Sequence, residues 1–228
     1  MQAGDWAVAA EAGAGEAPEA GPVPALPDWA RRKVSGARAT ATVLRPSDLG
    51  GAKALGGEAE GLDETAALRR GRHIHLLLEH LPALPRDQWE DAVSDILSLD
   101  GRHDLSGDAL TELAAEAAAV LGAPELAEIF APDSLAEVAL SAGSDTLGAQ
   151  LEGQIDRLLV RDERVLAVDF KSNAVVPEGP GEVPEGLLRQ MGSYAEMLAA
   201  IYPERRLEPA RLWTREARLM HLDGDLTR

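Results

Sequence analysis

Asp156, Asp169 and Lys171 lie within one short stretch, residues 151–173, and have the types and spacing for metal-assisted hydrolysis. The stretch reads as a β-hairpin. Its arms, 151–160 and 165–171, are rich in Val, Leu and Ile, and the polar segment Arg161-Asp162-Glu163-Arg164 separates them. A two-residue Asp162-Glu163 loop or a four-residue loop pairs Val160 with Val165. Continued along the arms, that register places Asp156 opposite Asp169 on one face. Two carboxylates so placed repel unless a cation lies between them. Lys171, two residues past Asp169, shares that face, whereas Leu166, Val168 and Phe170 form an apolar stripe on the other. Taken alone, two acids on one face of a hairpin are more often a solvated surface than a site. A three-residue loop would also break the register.

The flanking segments supply elements able to position the trio. A helix over about 63–81 buries Ile74, Leu77, Leu78 and Leu81 and carries His75 and Glu79 on one face beside that stripe. His73, His75 and His80 also raise a zinc site, but residues two apart on a helix diverge. After a break at Pro82 to Pro85, three Ala/Leu/Glu-rich helices are expected at about 86–99, 107–121 and 124–130. Ser106 or Asp108 would cap the second, and the three would form an insert over the site's rim. A strand at 135–140 carries Glu137, a further acid that either reaches the site or is an ordinary edge charge. Residues 176–186 are rich in Pro, Gly and Glu, have little periodicity and read as a mobile loop. A helix at about 185–201 presents Gln190 and Tyr194 four apart at the edge of its buried face. Strands at 207–213 and 217–222 close the chain. The order implies an α/β fold: a short mixed sheet, largely antiparallel, flanked by helices.

Composition bounds the reading. The 228 residues suit one domain with an extension, taken as a flexible N-terminal segment over 1–62 and a domain over 63–228 with its insert at about 86–131. There is no cysteine, which excludes disulfides, iron–sulfur clusters on Cys and Cys-type zinc sites, and suits a reducing cytoplasm. No stretch approaches the ~20 apolar residues of a membrane span, and the N-terminus has no secretory character. The glycine-rich segment around Lys53 has no Ser or Thr after the lysine, so it is no phosphate-binding loop. The net charge of −17 argues against a free-standing nucleic-acid binder unless metal ions and a basic partner neutralise the phosphates.

Placed on these elements, Gly71-Arg72-His73-Ile74-His75 through Glu79, Gly153-Gln154-Ile155-Asp156, Asp169-Phe170-Lys171-Ser172-Asn173 and Gln190 to Tyr194 form an ordered set. The set resembles the GxxxHxxxE, GxIDxl, DxKSN and QxxxY motifs of the RecB-like branch of the PD-(D/E)xK nucleases. The likeness covers roughly residues 68–222 and is nearest the C-terminal nuclease domains of AddA-type helicase–nucleases. Pro27-Asp28-Trp29 and Arg45 to Leu49 resemble the lead-in to those domains. The resemblance implies a restriction-endonuclease-like core and Mg²⁺, or Mn²⁺, held by His75, Asp156, Asp169 and the Phe170 carbonyl. Lys171, Asp169 and Asp156 would be catalytic; Gln190, Tyr194 and Glu79 would position DNA or support the ligands. It further implies a cytoplasmic enzyme of double-strand-break repair, cutting the 3′-terminated strand. Its single-stranded DNA would be fed by the helicase portion of AddA with an AddB-type partner. A stand-alone nuclease of phage or CRISPR-type DNA processing, a non-catalytic scaffold and a zinc hydrolase remain alternatives.

Overall fold

The structure, a computed structural model, describes residues 42–53, 64–100 and 105–222. The 1–41 and 54–63 segments, including Pro27-Asp28-Trp29, lie outside the described residues. In chain order the elements are β1 (Val43–Leu44), α1 (Glu64–His80), α2 (Trp89–Leu97), α3 (Gly107–Gly122), β2 (Leu135–Ser144), β3 (Ala149–Val160), β4 (Arg164–Lys171), α4 (Glu185–Ile201), β5 (Arg206–Trp213) and β6 (Arg218–His221). Six strands form one mixed sheet in the order β1-β3-β4-β5-β6, with β2 also paired to β3. The expected mixed sheet is present, and its β4–β5 and β1–β3 pairings are parallel.

The register deduced from the hairpin is found at its loop end, but the expected Asp156–Asp169 pair does not form, because the ladder stops one step short of it. Val160 pairs with Val165, Leu159 with Leu166, Leu158 with Ala167 and Arg157 with Val168. Arg161 N–H donates to the Arg164 carbonyl at 2.8 Å, which leaves Asp162 and Glu163 as the loop. Alternation then sorts the sheet into two faces. Leu159, Leu166, Val168, Phe170, Ala210 and Leu212 pack beneath α1, α2 and α3. Leu158, Val165, Ala167 and Trp213 pack against α4. Each fully buried Leu or Ile contributes roughly 1.5–3 kcal/mol, so both layers are needed to hold the central strands.

Residues 86–131 differ from their expected role. The third helix of the set is only a 3₁₀ turn, Pro124–Leu126, started by a proline that fits a first turn. Ser106 caps α3 as expected, its hydroxyl accepting from Ala109 N–H at 3.3 Å. Val93, Ile96, Leu97, Leu113, Ala117 and Val120 are buried in the same core as α1 and the sheet. The segment is therefore a structural layer, and none of its described residues lines the cleft that His75 and Lys171 share. The 176–186 loop is also tied down. Arg218 donates to the carbonyls of Pro177 and Glu178, and Val183 is buried. Its lack of periodicity reflects side chain–backbone anchoring, which leaves no repeat in the sequence.

Residues 42–53 pack with this unit, although the sequence places them in the N-terminal segment. β1 pairs in parallel with Gln150 and Leu151, and Pro46 is buried. The Ala52 carbonyl accepts from Gly186 N–H at 2.8 Å, at the first turn of α4. Among the described residues no helix is long and apolar enough to cross a membrane.

Candidate active site

The site forms where β3 is shared between partners. β2 follows β3 along nearly its whole length. On the other edge β1 pairs at residues 150–151 and β4 at 157–160. Asp156 lies at the point where β4 leaves that edge. The β3–β4 ladder stops at Arg157 and Val168, and the Asp156 carboxylate takes over, accepting from Phe170 N–H at 2.6 Å. The β2–β3 ladder is interrupted at the same level: Glu137, facing Asp156, has φ 50°, in the left-handed region. Leu151 and Ile155 share a core cluster with Leu158, so the in–out alternation of β3 slips at Asp156. Both irregularities bring Glu137 and Asp156 together beside His75.

His75 arrives from α1. Gly71 sits one helical turn earlier, where a Cβ would come within 3.0 Å of the Ser172 hydroxyl at the end of β4. Glycine there lets α1 lie close over the DxKSN segment. His75 Nδ1 is 3.1 Å from Asp156 Oδ1, and its ring meets the Phe170 ring edge-on at 5.5 Å. Ligand atoms of His75, Glu137 and Asp156 all lie within 4.8 Å of one another. Asp169 lies outside that group, as do His73 and His80; His73 is buried, and His80 lies 3.7 Å from Glu79. Glu79 lines the cleft but is not one of the three.

Asp169 has a different environment. It is buried, and its Oδ2 lies 2.7 Å from Lys171 Nζ and 2.5 Å from the guanidinium of Arg211. Arg211 stands directly beside it on β5. Gln190 donates to Asp169 Oδ1 at 3.3 Å and accepts from Arg211 at 3.3 Å. Tyr194 is also buried, and its hydroxyl donates to the Gln154 carbonyl at 2.6 Å. Gly153 makes room for this ring, since a Cβ there would meet it at 2.8 Å and Pro46 at 3.0 Å. Gln190 therefore supports the site's acid, whereas Tyr194 fastens α4 to β3.

The electrostatics follow from the contacts. Burial, then Asp156 and Glu79, push the Glu137 carboxyl up to about 7. Burial lowers His75, but the Asp156 carboxylate beside it prevails and its pKa lies above the usual value. Burial raises Asp169, but Lys171 and Arg211 outweigh it and hold the carboxyl below its usual range. Burial, then Asp169 and Asp156, drive the Tyr194 phenol upward, so it stays a neutral donor. Two carboxylates with one imidazole are a donor set suited to a hard divalent ion. The residues present fit such an ion.

Arg211 and Arg157 escaped the sequence reading. Arg157 is buried, donates to the Leu78 carbonyl at 2.6 Å and lies 5.1 Å from the centre of the Phe130 ring. The signal for both was a cation inside an otherwise apolar strand, as in Ala210-Arg211-Leu212-Trp213. Glu137 was visible only as a further acid that reaches the site or is an ordinary edge charge, and its backbone kink brings it into the group.

The cleft has a volume of about 1060 Å³. His75, Glu137 and Lys171 line it, with Lys53, Arg72 and Arg215 among its cations. No curated protein matches the chain. Among solved structures, one described as "Crystal structure of SSO0001" aligns over 88% of this chain and 77% of its own, at 12% identity and a TM-score of 0.32. That likeness is too slight to carry weight. A family model described as the PD-(D/E)XK nuclease superfamily matches residues 52–221, a span that holds α1, the acid-bearing hairpin and α4 together. On that match, and with a six-stranded mixed sheet flanked by helices consistent with a restriction-endonuclease-like fold, the chain belongs to the PD-(D/E)XK nuclease superfamily.

Proposed function

We propose that the chain is a Mg²⁺-dependent deoxyribonuclease domain, the nuclease part of an AddAB-type helicase–nuclease acting in double-strand-break repair. The observation that carries the chemistry is the His75–Glu137–Asp156 group, of which His75 and Glu137 line one open cleft together with Lys171. The AddAB-type role rests on the four ordered sequence motifs and their likeness to AddA-type nuclease domains.

His75, Glu137 and Asp156 would hold the ion, with Asp169 and the Phe170 carbonyl next to them in the chain's own motif. Mg²⁺ or Mn²⁺ bound there neutralises phosphate charge and acidifies a water. The remaining steps fall to side chains. The Phe170 N–H and ring fix Asp156 and His75, so the ligands are set before substrate arrives. Lys171, bound to Asp169 at the cleft wall, would orient the attacking water or neutralise a phosphate oxygen as the water–phosphorus bond forms and the P–O bond to the leaving strand breaks. Lys53, Arg72 and Arg215 line the path a phosphate backbone would take. They offer cation locally on a chain whose net charge is −17. The motor and partner subunit would supply the remaining basic channel.

The test is cleavage of single-stranded DNA by the purified chain with and without Mg²⁺. Cutting that requires the metal and disappears in Asp156→Asn is expected. Metal-independent cutting, or no cutting with either Mg²⁺ or Mn²⁺, would overturn the activity. Co-purification with a helicase subunit checks the AddAB-type role. Full activity without any partner would favour the stand-alone nuclease.

A further inference from the structure

The Asp169 carboxylate has two cationic partners, and they are not equivalent. Arg211 has no exposed side-chain surface and is anchored three ways: to Asp169 Oδ2 at 2.5 Å, to the Leu187 carbonyl at 2.6 Å and to Gln190 Oε1 at 3.3 Å. Lys171 contacts the same Oδ2 at 2.7 Å, but its side chain is 22% exposed and lines the cleft. One cation is locked between the sheet and α4, and the other reaches the cleft. A single buried carboxylate needs only one counter-ion, and stripping a buried acid of its last one is among the costliest changes a fold can suffer.

We propose that Arg211 is a positioning residue: as the permanent counter-ion of Asp169, it frees Lys171 to leave that carboxylate for the phosphate undergoing hydrolysis. The inference rests on the nuclease reading above. Without Arg211, Lys171 becomes the only side-chain cation on a buried acid, and its transfer to substrate leaves Asp169 with no side-chain counter-ion. With Arg211 in place, the guanidinium remains on Oδ2 throughout and Gln190 continues to donate to Oδ1. Asp169 then keeps its orientation while Lys171 moves. Arg is suited to this duty, since its planar fork spans the carboxylate and a backbone carbonyl together and it does not lose its charge.

The test compares wild type with R211M and R211K, using single-stranded DNA cleavage and Mn²⁺ affinity by titration calorimetry. R211M is expected to lower kcat about a hundredfold, with KM within about threefold of wild type and Mn²⁺ affinity no weaker. R211K is expected to restore at least about tenfold of that loss. A purely structural role would instead lower kcat and Mn²⁺ affinity together, and that result overturns the proposal. So does a folded R211M with wild-type kcat. If circular dichroism shows that R211M does not fold, R211K decides: kcat within about tenfold of wild type supports the proposal, and a larger loss overturns it. Wild type that fails to cut under any metal removes the nuclease reading and this inference with it. Wild type that cuts while R211M is unaffected removes this inference alone.

Discussion

The two aspartates of one hairpin sit in opposite electrostatic surroundings. Asp156 shares its space with Glu137 and His75, and burial, then Asp156 and Glu79, push the Glu137 carboxyl up to about 7. Asp169, on the adjoining strand, is held below its usual range by Lys171 and Arg211. The anionic half calls for a cation from outside, whereas the cationic half brings its own. The difference arises from where each strand ends its pairing. Asp156 stands where β4 leaves β3, while Asp169 still has β5 beside it and so has Arg211 as a neighbour. A hydrolytic centre needs both halves: ligands with no built-in cation, and a lysine whose acid is already balanced.

Substitutions in each half should separate ion binding from bond breaking. Asp156→Asn should have the largest effect, lowering cleavage by roughly 10³-fold and removing measurable Mn²⁺ binding in calorimetry. Retained Mn²⁺ binding would place the ion elsewhere and break the contrast. Lys171→Ala should lower kcat by roughly 10²-fold while leaving Mn²⁺ affinity intact. A parallel loss of metal would show that the halves are not separable.

Glu137→Gln probes the anionic half in the metal-free chain. An ordinary glutamate titrates near 4.5 and Glu137 near about 7, so the folded chain holds this proton more tightly than the unfolded one. Stability contributed by the protonated group is therefore complete below the lower value and is lost as pH rises through the upper one. At about pH 8 the variant should melt a few degrees above wild type in EDTA, with the difference vanishing near pH 4. Divalent ion should raise its melting temperature less than that of wild type. A wild-type chain with no such pH response would show that burial and the neighbouring acids do not raise Glu137. The smallest effect is expected from Tyr194→Phe, which removes the bond to the Gln154 carbonyl. It should cost about 1 kcal/mol by denaturant titration, with kcat nearly unchanged. A large loss of kcat would move Tyr194 from fastening the fold to touching substrate.

Residues whose chemistry and spacing act locally were readable in advance. The hairpin register followed from Val160, Val165 and a short polar loop. The α1 stripe followed from Ile74, Leu77, Leu78 and Leu81, and the cap of α3 from Ser106. The role of residues 86–131 was not readable, because apolar helices look alike whether they cover a rim or complete a core. Residues 42–53 looked like linker, since a two-residue strand and a buried Pro46 leave no periodic trace.

The sequence alone determined that His75, Asp156, Asp169 and Lys171 would lie on elements able to converge, because helical and strand periods set which side chains share a face. Only the tertiary structure decided how they divide. The kink at Glu137 is a backbone event set by the interrupted β2–β3 ladder, and no residue type announces it. Arg211 reaches Asp169 through a parallel pairing of strands separated by a helix, a contact fixed by how β5 docks on β4. Local spacing carries information over a few residues. The charge balance of a buried carboxylate depends on whatever the fold brings beside it.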